Sequence, residues 1–338
     1  MMHTAAVFLV AYAAAVSVVL GVLAMTMIAN LTTATWFRPF RPHATRVLRV
    51  LPPLAGLGIL VLLSLPTLYP WTADGSAISE SDVARYLNEP FFVVRFIIYW
   101  AAWIAIWRAL EATDRIAAAG DVRRATERYR GVSVVGLLVL GLTMTFAAFD
   151  WMMSLTPDWY STIYGVTWFA GGMVGALALL AVLAFRDAEI SPEDLDSLGK
   201  LLLTFILFWL YTGFAQYVVI WSGGLPREVT WFVARTRGGW RVLAGIVIFG
   251  GFVFPFLLLL VRDARRASFV MATLGVALLA VHYLDTFWII VPGLIPFTWW
   301  TPLLAVLLLA IVLAILIGTA RFRWRTPADP RFAGAHPR

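Results

Sequence analysis

Nine apolar runs, each long enough to cross a bilayer as a helix, constrain this chain more than any other feature. They lie at about 4–29, 47–69, 91–111, 131–151, 162–185, 198–221, 241–261, 268–291 and 301–320. A helix needs about 20 residues to span the hydrocarbon. In lipid each backbone N–H and C=O must find an internal partner, so runs of this length are read as helices. The expected fold is an all-α polytopic membrane protein with a single integral membrane domain over 1–320. Residues 321–338 are expected to form a cytoplasmic tail. Composition agrees: 61% of residues are hydrophobic and 13% charged, against roughly half and a quarter in soluble domains. The N-terminus is apolar almost from the start and lacks a basic leader region, so it reads as a first membrane helix and not a signal peptide.

The net charge of +7 would suggest nucleic acid in a soluble protein. Here the arginines cluster at segment ends, where they act as topology signals and lipid-headgroup contacts, and no nucleic-acid partner is expected. One set of loops and flanks holds 20 of the 26 Lys and Arg; the other holds Arg85, Arg95, Arg227, Arg235, Arg237 and Arg241. The positive-inside rule then puts the N-terminus outside and the C-terminus in the cytoplasm.

Two loops of the arginine-poor side carry helix signals. In "SAISESDVARYLNEP", Ser79 and Asp82 have capping-box spacing, and Pro90 marks the start of the next span. In "GGLPREVTWFVARTRGGW", Pro226 suits a first helical position and Gly238-Gly239 a stop. The Val229, Trp231 and Phe232 cluster between them predicts a helix lying in the interface. A faint repeat also appears. Asp150 precedes Pro157 by seven residues, and Asp285 precedes Pro292 by the same spacing. This suggests two related four-helix units, 4–155 and 162–292, with 301–320 as an extra helix.

The chain has no cysteine. That excludes disulfides, thiolate-held iron–sulfur clusters and covalent c-type haem on this chain. Of the four histidines (His3, His43, His282 and His336), only His282 lies deep in an apolar run. A bis-histidine haem needs two facing imidazoles, so electrons in any respiratory role travel in partners.

Chemistry then falls to a few polar groups. His282 and Asp285 in "AVHYLDTFWII" sit three residues apart on one helix face. Ionisable groups at membrane depth are costly unless paired, neutral or hydrated. They mark a proton relay or quinone-headgroup site, or a hydrogen bond that holds the bundle. Asp150 lies nearer the surface, where pairing with Arg95 or Arg241 is the plainer reading. Asp158, with Ser154 and Tyr160, would add a polar vestibule there. Gln216 reads as an interhelical hydrogen bond, or, with Tyr211 and His282, as the lining of a half-channel. Glu228 belongs to the outer loop as a solvated or Arg-paired group. Gly171 and Gly175 form GxxxG, a close-packing signal. No nucleotide-binding loop, metal-ligand spacing or nucleophile-with-base arrangement is evident.

Several stretches carry a family resemblance: "AAFDWMMSLTPDWYSTIYGVTWFAGGMVGALALL", "FWLYTGFAQYVVIWSGGLPREVTWFVARTRGGW", "YLNEPFFVVR", "YLDTFWIIVP" and "DPRF". They resemble the ActF subunits of bacterial alternative complex III, which are similar to the NrfD/PsrC family of quinone-interacting membrane subunits. The resemblance implies two four-helix bundles and a bacterial cytoplasmic (inner) membrane location. It implies a place in a quinol:cytochrome c (or cupredoxin) oxidoreductase, beside a multihaem cytochrome c, an iron–sulfur protein and an ActC-like membrane subunit. Quinone or quinol and lipids are the implied ligands, with no covalently bound cofactor. Family members usually have ten helices, so with nine runs this chain is expected to begin at the family's second helix, the first being either absent or cut off by the start. His282, Asp285, Asp150, Gln216 and Tyr211 would then line a proton path or quinone pocket, supported by Arg95, Asp158, Glu228 and Arg241. A purely scaffolding subunit is one rival reading. A secondary transporter with a midplane site at His282 and Asp285 is the other, although mid-span breaks are few apart from Gly250-Gly251 and Pro255.

Overall fold

A computed structural model describes residues 2–32, 34–73 and 81–298. The ninth apolar run, the tail and the Ser79 cap lie outside the described residues. Within them the chain is helical and contains no strand. The helices are α1 Met2–Thr32, α2 Arg41–Leu48, α3 Leu51–Leu63, α4 Leu65–Leu68, α5 Ser81–Tyr86, α6 Glu89–Ala118 and α7 Val122–Trp151. They continue as α8 Tyr164–Leu183, α9 Pro192–Gly223, α10 Pro226–Arg235, α11 Gly239–Ile248, α12 Phe254–Leu260, α13 Arg262–Arg266 and α14 Ser268–Ile290. Among the described residues, eight helical stretches are long and apolar enough to cross a membrane. They match the first eight apolar runs.

Helix ends follow from local chemistry. Asn88 caps α6 by accepting a hydrogen bond from the Phe91 N–H, with Pro90 in the first turn. Ser191 and Asp194 make a reciprocal capping box at α9. α11 and α12 form one span with a π-turn at Phe249–Val253 between them. Gly250 and Gly251 sit in that turn, and Pro255 follows it in the first turn of α12.

α1 and α8 form the centre. α1 is apolar on every side and buried on nearly all of them, as a core helix should be. α8 packs against α1, α7, α9 and α14. Small residues permit the close approach. A Cβ on Gly172 would stand 2.6 Å from the Ser17 carbonyl oxygen of α1. A Cβ on Gly275 would stand 2.6 Å from the Ala178 oxygen of α8. The first span of each proposed unit packs on the fourth, α1 on α7 and α8 on α14. The faint sequence repeat is therefore accompanied by a recurring helix pairing. α6, α7, α9, α11 and α12 turn large apolar side chains such as Leu138, Phe214 and Leu257 outward, where only a lipid or protein neighbour would suit them.

Candidate functional site

Asp150 and Asp285 lie toward the same end of the helical body, and their surroundings differ. Asp150, on α7, is fully buried. Arg95 Nε and Nη2 of α6 donate to its two oxygens at 2.8 Å each, and Tyr99 Oη donates at 2.6 Å. The guanidinium also donates to the Tyr86 carbonyl and lies over the Tyr86 and Phe91 rings. Burial, and then the Asp150 carboxylate, push the Tyr86 phenol above its usual range. Of the two sequence candidates, Arg95 is the partner; Arg241 is exposed on α11. This is a closed and satisfied pair.

His282 and Asp285 diverge. Three residues place them about 60° apart around α14, and each enters a different crevice. His282 turns toward α1, where its Nε2 lies 2.8 Å from Ser17 Oγ. Ser17 Oγ donates to the Ala14 carbonyl at 2.9 Å, so it accepts from an Nε2–H. The ring lies against Gly171 and Gly175, where a Cβ on either would come within 3.3 Å of it. The GxxxG pair is thus the slot for an imidazole.

Asp285 turns toward α9. Its Oδ2 accepts from Trp209 Nε1 at 3.2 Å, and no cation pairs with it among the described residues. Trp209 itself lies against the π-turn, where a Cβ on Gly251 would stand 3.2 Å from its ring. Asp285 reaches the wall of a cavity of about 460 Å³ lined by α8, α9, α10, α11 and α14 and open toward the exposed side chains of Phe214, Tyr217 and Ile248. Its walls are almost wholly apolar, as ligand pockets of this size tend to be. Two polar groups stand out there. One is Asp285. The other is Gln216, whose side chain makes no hydrogen bond to a described residue. Trp168 also lines the cavity, but its Nε1 is sealed away from it.

Other expected site residues stand elsewhere. Tyr211 is 66% exposed and outside the cavity lining. It sits on the outward face of α9, so no half-channel of Tyr211, Gln216 and His282 forms. Asp158 is exposed, and its carbonyl accepts from Arg227 Nε. Glu228 lies in the first turn of α10, where a carboxylate suits the helix dipole, and does not line the cavity.

Three part-buried or buried side chains with polar contacts escaped the sequence reading. Trp209 looked like any tryptophan in an apolar run. Arg235, at the end of α10, is 3% exposed and has no carboxylate partner among the described residues. Its Nη1 donates to the Trp231 carbonyl at 3.0 Å and its Nη2 to the Ile289 carbonyl at 2.6 Å, the C-terminal turns of α10 and α14. Helix C-termini favour a cation, which accounts for a charge without a counter-ion. Burial pushes its pKa down to about 9, so it remains charged at neutral pH. His43, the third, is buried at the opposite end, with Nε2 2.7 Å from Asp187 Oδ2. Basic neighbours in "RPHATR" gave no hint of it.

No protein-family model matches the chain, and no curated protein matches it. Among the described residues no group of three or more His, Cys, Asp or Glu converges as metal ligands would.

Proposed function

We propose that this chain is an integral membrane subunit of a quinol:cytochrome c (or cupredoxin) oxidoreductase of the alternative complex III type. It would lie in a bacterial cytoplasmic membrane with its N-terminus outside and its C-terminus inside. The electron carriers would sit in its partners: a multihaem cytochrome c, an iron–sulfur protein and an ActC-like membrane subunit. The single observation that carries the reading beyond resemblance is the Asp285 cavity. An apolar chamber with one carboxylate unpaired by any described cation and one free amide fits a flat headgroup with oxygens at both ends. Quinol, when bound, supplies two electrons and two protons. The Gln216 amide can donate to a ring oxygen. Asp285 Oδ1 can accept a hydroxyl proton, with Trp209 fixing Oδ2. The walls around the carboxylate are almost wholly apolar. Asp150, already held by Arg95 and Tyr99, is assigned to scaffolding, and His282 to helix packing.

The test is to isolate the chain gently from native membranes and photolabel it with an azidoquinone. Multihaem cytochrome and iron–sulfur subunits should accompany it, and label should map to α9 and α14. Asp285→Asn should leave the assembly intact and reduce quinol turnover about tenfold or more, the usual scale for a lost proton acceptor. A lone protein that takes no label would end this reading. One feature favours a transporter instead: the π-turn at Phe249–Val253, a broken span beside the cavity. Substrate uptake by the purified chain in liposomes would select that alternative.

A further inference from the structure

We propose that the π-turn at Phe249–Val253 is the positioning element of the Asp285 site, with Gly251 as its positioning residue. The turn holds both the indole that donates to the carboxylate and the face of α14 that carries it. It thereby sets the angle at which Asp285 meets a ligand. The inference rests on the reading of the cavity as a ligand site.

The turn has a cause in the sequence. In "GGFVFP", Pro255 follows Gly251 by four residues. A proline ring inside a helix clashes with the carbonyl four residues back, and it supplies no N–H. A wider turn takes that carbonyl out of the way, and the Phe254 N–H donates to the Phe249 carbonyl, five residues back. Single π-turns of this kind are frequent at functional sites. The break therefore has a local origin and needs no transported substrate to explain it.

The turn touches both halves of the Trp209–Asp285 hydrogen bond. On one side it meets Val281 of α14. A Cβ on Gly250 would stand 3.0 Å from one Val281 methyl, and a Cβ on Gly251 would stand 3.0 Å from the other. Val281 lies one helical turn before Asp285, on the same face of α14. On the other side it meets Trp209. A Cβ on Gly251 would stand 3.2 Å from Cζ3 and Cη2, the far edge of the six-membered ring. The opposite end of the indole, Cδ1, faces Gly171 of α8, where a Cβ would stand at 3.6 Å. The indole is thus wedged lengthwise between two glycines, with Nε1 3.2 Å from Asp285 Oδ2. The π-turn does not line the cavity; it acts from behind Trp209, which does. A group whose support is locked by packing keeps one productive geometry. A shift of about 1 Å there can cost on the order of 100-fold in rate.

Variants of the purified complex test this. Gly251→Ala should lower kcat for quinol oxidation about tenfold and change KM by less than about twofold, because the carboxylate is turned while the chamber keeps its lining. Trp209→Phe adds no atom to the bundle, loses the N–H and should lower kcat by a similar factor. Gly245→Ala, in the same span with nothing within 4 Å of its Cβ, should change neither constant. Added to Asp285→Asn, neither Gly251→Ala nor Trp209→Phe should cost anything more, since both act through the carboxylate. Full kcat in Gly251→Ala and Trp209→Phe would overturn the positioning, and so would losses that multiply with that of Asp285→Asn. Infrared difference spectra between two pH values give a reading without quinol. The carboxyl band that vanishes in Asp285→Asn should move in Gly251→Ala and Trp209→Phe and hold still in Gly245→Ala. A band unmoved in both would also overturn the proposal. Turnover untouched by Asp285→Asn would instead sink the ligand-site reading, and the infrared band would then decide the positioning by itself.

Discussion

Arg95 grips Asp150 through two hydrogen bonds of 2.8 Å, one to each carboxylate oxygen. Both groups are buried, so each is the other's only partner of opposite charge among the described residues. Removing one partner of such a pair costs about 3–5 kcal/mol, because the survivor is left uncompensated. Asp150→Ala and Arg95→Ala should each lower the thermal unfolding temperature sharply in detergent. A well-packed apolar pair, Arg95→Met with Asp150→Leu, should recover much of the loss. Unaltered melting of either single variant would show the pair to be idle.

His282 and Ser17 make a different kind of prediction. Their hydrogen bond joins α14 to α1 across the glycine slot of α8. Ser17→Ala should cost about 1–3 kcal/mol by leaving the imidazole N–H unpaired. It should not change azidoquinone labelling, since neither residue lines the cavity. Labelling lost in Ser17→Ala, with melting unchanged, would return His282 to the ligand site.

The glycines separate packing from tolerance. Gly172→Ala would drive its Cβ to 2.6 Å from the Ser17 backbone, and Gly275→Ala would do the same against Ala178. Each should destabilise by about 1–3 kcal/mol through forced helix separation. Gly141→Ala, with nothing within 4 Å of its Cβ, should be neutral or slightly stabilising because alanine favours helix. Melting temperatures of the three variants provide the check.

Asp187 gives a pH dependence at the other end. It is a partly exposed loop carboxylate. Burial pulls its pKa up, but the Glu189 backbone N–H, His43 and Arg46 outweigh that and hold it below its ordinary 3.8. A carboxyl lowered by folding adds stability above its unfolded pKa and loses it as pH falls through the folded value. The stability difference between the parent chain and Asp187→Asn should therefore shrink below about pH 4. A pH series of melting curves from about pH 3 to 6 would show it, and a difference that grows on acidification would contradict the sign.

The spans were legible because hydrocarbon thickness writes itself into sequence as runs of fixed length. α10 was legible too, from Pro226 in front, Gly238-Gly239 behind and aromatics between. Asp150 was narrowed to two arginines, and geometry selected Arg95. His282 and Asp285 were paired by their spacing, yet a 60° offset is enough to divide them between two neighbours. Nothing in a single helix pattern says which crevice lies where. Tyr211 was grouped with Gln216 because both are polar-capable residues of one segment, but α9 turns one inward and the other outward. Arg235 was hidden for a related reason. Its counter-charge is the carbonyl end of another helix, which no residue type announces.

The burial of α1 also bears on how the chain is made. α1 leaves the ribosome before α7, α8 and α14, the helices that will pack around it. During synthesis it must wait in lipid with its final neighbours still untranslated. Its largely apolar surface makes that wait cheap, and its backbone is already satisfied as a helix. Ser17 is the one group deep in α1 that will later need His282. Its hydroxyl donates to Ala14 within its own helix, so it can stay quiet until the histidine arrives. Assembly of the interior therefore finishes from the late end of the chain, with α14 closing around a helix inserted long before.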